Sequence, residues 1–107
     1  MTIINGKRIS IGQDCYLEYW SLYKDNAKVA LSPTQFRILQ YLALNIGNPV
    51  STDQLILNVW GPETLIGPND LHVHIKRLRD RLEDDGRNPK CLLTIRGIGY
   101  ILYPREK

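Results

Sequence analysis

The chain has 107 residues, of which 43% are hydrophobic and 23% are charged, an ordinary balance for one compact globular domain. It has no apolar run near the roughly 20 residues that span a bilayer, and it does not open with a signal-peptide pattern. We therefore expect one cytoplasmic domain over residues 1–107, without a membrane segment. Cys15 and Cys91 lie far apart without CxxC or metal-ligand spacing, which predicts reduced thiols rather than a disulfide or a zinc site.

The basic residues are distributed unevenly along the chain. Residues 1–67 carry five basic and five acidic side chains, so the whole formal charge of +3 comes from residues 68–107. In that part a single acidic neighbour, Asp80, opposes a basic cluster made of Lys76, Arg77, Arg79 and Arg81. Such a cluster is a candidate for binding phosphate, although an ordinary solvated helix face has the same pattern.

Residues 3–30 are predicted to form a small antiparallel sheet. Segments 8–11, 15–20, 22–24 and 28–30 are rich in Ile, Tyr and Val. Turn-forming sequences at Asn5-Gly6, residues 12–14 and residues 25–26 separate or precede these segments.

Two capping boxes predict the starts of two helices. Ser32 and Gln35 have capping-box spacing around Pro33, and the following apolar positions recur at intervals of mostly three and four: Phe36, Leu39, Leu42, Ala43 and Ile46. Gly47 and Pro49 supply the stop. Ser51 and Gln54 repeat the box and open a shorter helix, with Leu55, Ile56 and Val59 inward, that ends at Gly61-Pro62.

A third helix is predicted from about Pro68 to Glu83, after a loop over residues 61–68 that contains two Gly and two Pro. Its apolar stripe consists of Leu71, Ile75, Leu78 and Leu82. The positions outside this stripe point at least partly away from the core: Asn69, Val73, His74, Lys76, Arg77 and Arg81.

The C-terminal part is predicted to form a β-hairpin. Residues 92–96 and 100–103 are β-rich and flank the turn Gly97-Ile98-Gly99, so Arg96 lies at the tip of a stiff arm. The fold class is therefore α+β, with an N-terminal antiparallel sheet, three helices and a C-terminal hairpin. This order resembles that of a winged helix-turn-helix fold, in which the hairpin is the wing.

The exposed face of the third helix suits the major groove of DNA. Val73 and Arg77 lie one helical turn apart, so a methyl group could contact thymine while the guanidinium binds guanine O6 and N7. His74, Lys76 and Arg79 flank that face and would meet sugar and phosphate.

The hairpin is predicted to reach the adjacent minor groove. Arg96 could enter it where an A·T-rich tract concentrates negative potential, and Thr94 could bond a phosphate. Gly97 and Gly99 form a tight turn rather than a nucleotide-binding motif, because the third glycine of that motif is missing.

Four segments together resemble the effector domains of OmpR/PhoB-family response regulators: residues 31–37 (Leu-Ser-Pro-Thr-Gln-Phe-Arg), 59–61 (Val-Trp-Gly), 73–79 (Val-His-Ile-Lys-Arg-Leu-Arg) and 94–100 (Thr-Ile-Arg-Gly-Ile-Gly-Tyr). The resemblance implies that Arg77 reads a base, Val73 packs against one and Arg96 is the minor-groove finger. It places at the DNA backbone Thr94, His74, Lys76, Arg79 and Trp60. Asn69 and Asp70, at the start of the helix, complete the predicted DNA-binding set.

The resemblance also implies partners and a regulatory setting. Loop 61–68 corresponds to the loop that touches RNA polymerase in family activators, and family members bind direct-repeat DNA as head-to-tail dimers. They carry a phospho-accepting receiver domain, which 107 residues cannot hold. We therefore expect an isolated effector domain, and a stand-alone regulator is the alternative.

Three positions depart from the family pattern. Asn69 stands where the family often has Arg, and His72 stands where it often has Asp. Ile101 follows Tyr100 in place of a frequent Arg, which removes a charge from the wing.

The sequence gives less support to functions other than DNA binding. An enzyme or metal site is not expected, because His72 and His74 diverge on the helix and the acidic residues 83–85 fit a solvated helix end. No cofactor motif is present. A winged helix used as a protein-interaction module is the main alternative, but such modules typically lose the basic face. RNA binding fits less well, because a deep A-form groove would not admit the helix.

Overall fold

Four antiparallel strands begin the fold in the computed structural model, which describes residues 8–106. They are β1 (Ile9–Ser10), β2 (Cys15–Glu18), β3 (Ser21–Lys24) and β4 (Ala27–Ala30), paired in chain order. The predicted sheet is confirmed, whereas the predicted turn at Asn5-Gly6 lies outside the described residues. Strand β2 ends two residues earlier than predicted, because Tyr19 and Trp20 turn with φ of 50° and 63°.

Both predicted capping boxes are present. Helix α1 (Pro33–Leu44) follows Ser32, whose hydroxyl accepts from the Gln35 amide at 3.1 Å while the Gln35 side chain accepts from the Ser32 amide at 2.8 Å. Helix α2 (Thr52–Trp60) begins in the same way after Ser51. These reciprocal bonds satisfy amides that a helix start leaves without partners, which explains why both helices begin at the predicted places.

Helix α3 (Pro68–Leu82) has the predicted inward stripe, since Leu71, Ile75, Leu78 and Leu82 are all 0% exposed. The N-terminal sheet is hydrogen-bonded to the C-terminal end of this helix. Lys24 Nζ donates to the carbonyls of residues 81, 82 and 83 at 3.3 Å each, and Arg81 Nη1 donates to the Ala30 carbonyl at 2.6 Å. A cation among C-terminal carbonyls is favourable because these groups carry the negative end of the helix dipole.

The C-terminal sheet has one strand more than predicted. The hairpin of β6 (Leu92–Ile95) and β7 (Gly99–Leu102) is extended by β5 (Val50–Ser51), in the order β5-β7-β6. A Cβ at Gly99 would lie 2.2 Å from the Val50 carbonyl oxygen, so only glycine lets β5 approach β7. A two-residue strand has no pattern long enough to be recognised in the sequence.

Helix α1 lies at the centre of the domain. It contacts β1 of the first sheet, β7 of the second, and both α2 and α3. Its Ile38, Leu39 and Leu42 are fully buried among apolar side chains from both sheets and both other helices. Within residues 8–106 no helix is long and apolar enough to cross a membrane.

The acidic run after α3 was predicted to be a solvated helix end, and for Glu83 this is wrong. Its side chain is 5% exposed and accepts four hydrogen bonds from the amides of residues 90, 91 and 92, at 2.7 to 3.2 Å. Asp84 accepts from buried Arg105 at 2.8 Å, and Arg105 also pairs with Asp25. The prediction missed these contacts because their partners lie outside the helix, from 7 to 80 positions along the chain, where helical spacing gives no information.

Candidate nucleic-acid interface

The face of α3 opposite its buried stripe is basic and accessible. Val73 is 45% exposed, and Lys76 and Arg77 are exposed beside it. Among the described residues neither Lys76 nor Arg77 forms an ion pair or a side-chain hydrogen bond. Val73 and Arg77, one turn apart, share this face as predicted, and Asn69 is exposed at the start of the helix. The two cations are therefore available to an anionic partner.

His74 and Trp60 form a contact between α3 and the end of α2. Both side chains are partly buried, with ring centroids 5.4 Å apart and an interplanar angle of 51°. Tilted aromatic pairs at this distance are favourable. The contact places both residues beside the exposed face, where their outer edges are accessible to a partner.

The wing presents Arg96 at its tip. The side chain is exposed, and among residues 8–106 it has no ion-pair or hydrogen-bond partner. Gly97 turns with φ of 77°, and the Ile98 amide donates to the Ile95 carbonyl at 3.0 Å. The Ile98 carbonyl accepts from the Thr52 amide at 3.1 Å, which ties the tip to the start of α2. Arg96 therefore projects from a hairpin whose turn is hydrogen-bonded to the start of α2.

Arg79 does not lie where the sequence placed it. It was predicted at the DNA backbone, yet it is only 9% exposed. Its Nε donates to the Leu92 carbonyl at 2.8 Å and its Nη2 to Thr94 Oγ1 at 2.9 Å. Burial lowers the pKa of its guanidinium, which Tyr100 and Glu83 partly offset. The reason for the error is helical geometry, because Arg79 follows buried Ile75 by four residues and shares its face.

Thr94 and Asp70 have defined local roles. Thr94 is exposed on β6, and its oxygen accepts the bond from Arg79, so its hydroxyl proton remains free to donate outward. Asp70 accepts from the Gly67 amide at 2.9 Å and thereby caps α3. An ionised carboxylate offers no donor to a phosphate, so its position favours this capping role.

The loop between α2 and α3 displays apolar surface. Leu65 is 100% exposed and Leu57, on the neighbouring turn of α2, is 50% exposed. Ile66 is partly buried against the core, and its amide donates to Thr64 Oγ1 at 3.1 Å. The loop is therefore packed against the core at Ile66 and exposes Leu65 to solvent.

Ile98 is an exposed residue that was predicted only as part of the hairpin turn. It is 54% exposed beside Arg96, and it lines a groove of about 350 Å³ between the wing and the start of α2. A β-branched residue between two turn glycines was the available signal. No group of three or more His, Cys, Asp or Glu is placed to hold a metal ion within residues 8–106.

The fold and this surface define a winged helix-turn-helix domain with a basic exposed helix and an arginine-tipped wing. Residues 26–102 match the family described as "Transcriptional regulatory protein, C terminal", and the chain belongs to that family. The resemblance to OmpR/PhoB effector domains is thereby confirmed.

Individual relatives agree with this assignment. The chain is 44% identical over 77 residues to the transcriptional regulatory protein KdpE of Mycobacterium tuberculosis, which covers 72% of this chain and 34% of that protein. It is 42% identical over 82 residues to the probable transcriptional regulator ycf27 of Porphyra purpurea, covering 75% of this chain and 34% of that protein. The chain spans about a third of the length of these curated relatives.

Solved structures share the fold. The Klebsiella pneumoniae RstA DNA-binding domain, solved in complex with RstA box, is 30% identical with a TM-score of 0.80, and the match covers 92% of this chain and 99% of that one. The Thermotoga maritima response regulator DrrB, an OmpR/PhoB homolog, is 28% identical with a TM-score of 0.79, over 90% of this chain and 44% of that one.

Proposed function

We propose that this domain binds double-stranded DNA sequence-specifically and regulates transcription as the output domain of a two-component response regulator in the cytoplasm. The observation that carries the proposal is the set of three exposed cations, Lys76, Arg77 and Arg96, which have no partner among residues 8–106. Two lie on one helix face and the third projects from the neighbouring wing. The similarity to an RstA domain solved with its DNA box supports the same conclusion.

Helix α3 is the element proposed for the major groove. An α-helix fits this groove, and its exposed side chains reach base edges there. Arg77 supplies a forked donor for guanine, and the exposed methyls of Val73 suit a thymine methyl. Lys76 supplies charge for a phosphate, and Asn69 can donate near the start of the helix.

The remaining contacts are proposed for the sugar-phosphate backbone and the minor groove. Arg96 enters the minor groove, where a narrow A·T-rich tract attracts a guanidinium. Thr94 donates its hydroxyl proton to a phosphate, while His74 and Trp60 contact the backbone beside the helix. Asp70 belongs to the helix cap that positions this surface.

Loop 61–68 is proposed as a protein contact, with RNA polymerase as the partner. Exposed Leu65 and Leu57 supply apolar surface there, which suits a protein partner better than DNA. Binding as a dimer to direct-repeat DNA is proposed for the full-length protein, because a second half-site adds affinity without new contacts on either domain.

The proposal is tested by selection from a random duplex DNA library at low salt, with the wild-type domain and Arg77→Ala run side by side. We expect a short motif, present as spaced repeats, that fades in the variant. The variant should lose about 1 to 3 kcal/mol on the selected site, the range for a bidentate guanine contact. If the wild type enriches no motif and shows no salt-sensitive binding, the domain is a protein-interaction module instead.

Lys76→Ala is the matched phosphate-contact variant. It removes one exposed cation from the same helix face, so it should weaken binding to selected and random duplexes alike. The slope of log affinity against log salt should fall by about one unit. Fluorescence anisotropy titrations at several salt concentrations measure this slope, and an unchanged value would remove Lys76 from the phosphate contacts.

A further inference from the structure

Arg79 and Glu83 form a helix–wing clasp, by which we mean their combined hydrogen bonds to residues 90–94. Glu83 accepts from the amides of residues 90, 91 and 92, and its shortest bond, 2.7 Å, is to Leu92. Arg79 donates to the Leu92 carbonyl and to Thr94 Oγ1. Arg79 lies in the last turn of α3, Glu83 follows that helix directly as its C-cap residue, and both residues are buried. Both polar backbone groups of Leu92 are therefore bound to the helix.

The clasp occupies the outer edge of the C-terminal sheet. Strand β6 is an edge strand, because the strand order is β5-β7-β6. The Tyr103 amide donates to the Cys91 carbonyl on the β7 side, whereas both backbone groups of Leu92 point to the opposite side. An edge strand leaves such groups without strand partners. Side chains from α3 and from its C-cap residue Glu83 take the place of the missing neighbouring strand.

We propose that this clasp fixes the wing relative to the recognition helix α3, so that Arg79 is a positioning residue for the DNA contacts of Thr94 and Arg96. This inference rests on the proposed DNA-binding function. It assigns Arg79 no DNA contact of its own, because its guanidinium is buried and bound within the domain.

The chemistry of the Arg79 contact sets the direction of the Thr94 hydroxyl. Arg79 is only a donor, so Thr94 Oγ1 accepts and its own proton is directed elsewhere. Thr94 is exposed, so this proton is available to an acceptor outside the domain such as a phosphate oxygen. Arg96, two residues further along, depends on the same strand for its reach into the minor groove.

The test is a double-mutant cycle on the selected DNA site with Arg79→Lys and Arg96→Ala. Lysine keeps the charge but cannot donate to both acceptors in the arginine geometry. We expect Arg96→Ala to weaken wild-type binding about tenfold and to weaken the Arg79→Lys domain less than about threefold. Arg77→Ala, on the helix itself, is the control and should cost the same factor in both backgrounds.

Thr94→Val gives a second cycle that keeps the side-chain shape. It should weaken binding in the wild type and have little further effect beside Arg79→Lys. If Arg79→Lys does not remain folded by circular dichroism, Glu83→Gln replaces it in both cycles, because it loosens the other half of the clasp. Equal Arg96→Ala factors in both backgrounds would overturn the proposal, as would wild-type affinity of Arg79→Lys, which would indicate a direct phosphate contact.

Hydrogen exchange separates failure of this inference from failure of the proposed function. In Arg79→Lys without DNA, the Leu92 amide, which donates to Glu83 in the same clasp, should exchange faster, while amides of α1 stay protected. Faster exchange in Arg79→Lys, together with a wild type that binds no DNA, would leave the clasp standing and refute the DNA function. Unchanged exchange together with equal Arg96→Ala factors would refute the clasp alone.

Discussion

Glu83 offers the sharpest test of the fold, because its buried carboxylate binds several amides at once. The substitution is Glu83→Ala, which removes the acceptor of four hydrogen bonds and leaves three backbone amides, those of residues 90, 91 and 92, without it. The side chain is 5% exposed, so water reaches these amides poorly in the folded state. The variant therefore still buries the amide donors but loses the hydrogen bonds that compensate for their desolvation.

The size of the effect follows from the bonds. A hydrogen bond to a charged group contributes about 1.5 to 3 kcal/mol, and an unsatisfied buried donor costs about 1 to 3 kcal/mol. These values are not additive within one carboxylate, because the bonds share two oxygens. We therefore expect a loss of about 3 to 5 kcal/mol, which is less than the simple sum over three unsatisfied donors. This is a large share of the roughly 5 to 15 kcal/mol that stabilises a typical domain.

The assay is equilibrium unfolding in urea, followed by circular dichroism, with Asp85→Ala as the matched control. Asp85 belongs to the same acidic run, but it is exposed and accepts one bond, from the Arg87 amide at 3.0 Å. Its removal should cost about 1 kcal/mol or less. Equal losses for the two variants, with unchanged m-values, would refute the argument that Glu83 holds the 90–92 backbone.

Three further predictions concern the core, an ion pair and the thiols. Leu78→Ala should destabilise the domain by about 2 to 5 kcal/mol in urea, because a fully buried side chain leaves a cavity; wild-type stability would contradict the assigned helix face. Hydrogen bonding from Arg105 lowers the pKa of Asp84 below 3.8, so the pair stabilises the fold above pH 3.8 and this contribution is lost as pH falls through the folded pKa. Asp84→Asn should therefore flatten the acid side of a stability-against-pH curve, and an unchanged curve would contradict the pairing. Burial raises the pKa of Cys15 and Cys91 to about 11, so iodoacetamide at neutral pH should modify neither thiol in the folded protein and both in urea; rapid labelling of the folded protein would be the contrary result.

The helices show which structural features can be predicted from the spacing of nearby residues. Capping boxes at Ser32 and Ser51 were sufficient to place the starts of α1 and α2, because the bonds that start a helix join residues three apart. The stripe of α3 was equally readable, since burial follows the helical period. The exposed positions of Arg77 and Arg96 followed from the same periodicity and from the hairpin turn.

Predictions about side chains whose contacts lie outside their own helix or turn were less successful. Arg79 and Glu83 have the sequence appearance of surface residues, yet both are buried against the start of β6. Strand β5 was not predicted because its two residues become a strand only by pairing with β7. The Arg105 contacts with Asp25 and Asp84 join residues 80 and 21 positions apart, which no local pattern encodes.

The sequence by itself therefore determined the order of all the elements except β5, the inward face of each helix and the exposed cations of the candidate interface. These depend on interactions within a few residues, which spacing records directly. Only the tertiary structure decided which charged groups are buried and how the wing is attached to α3. A buried charge is stable when it finds a partner, and these partners come from separate elements that meet only in the folded chain.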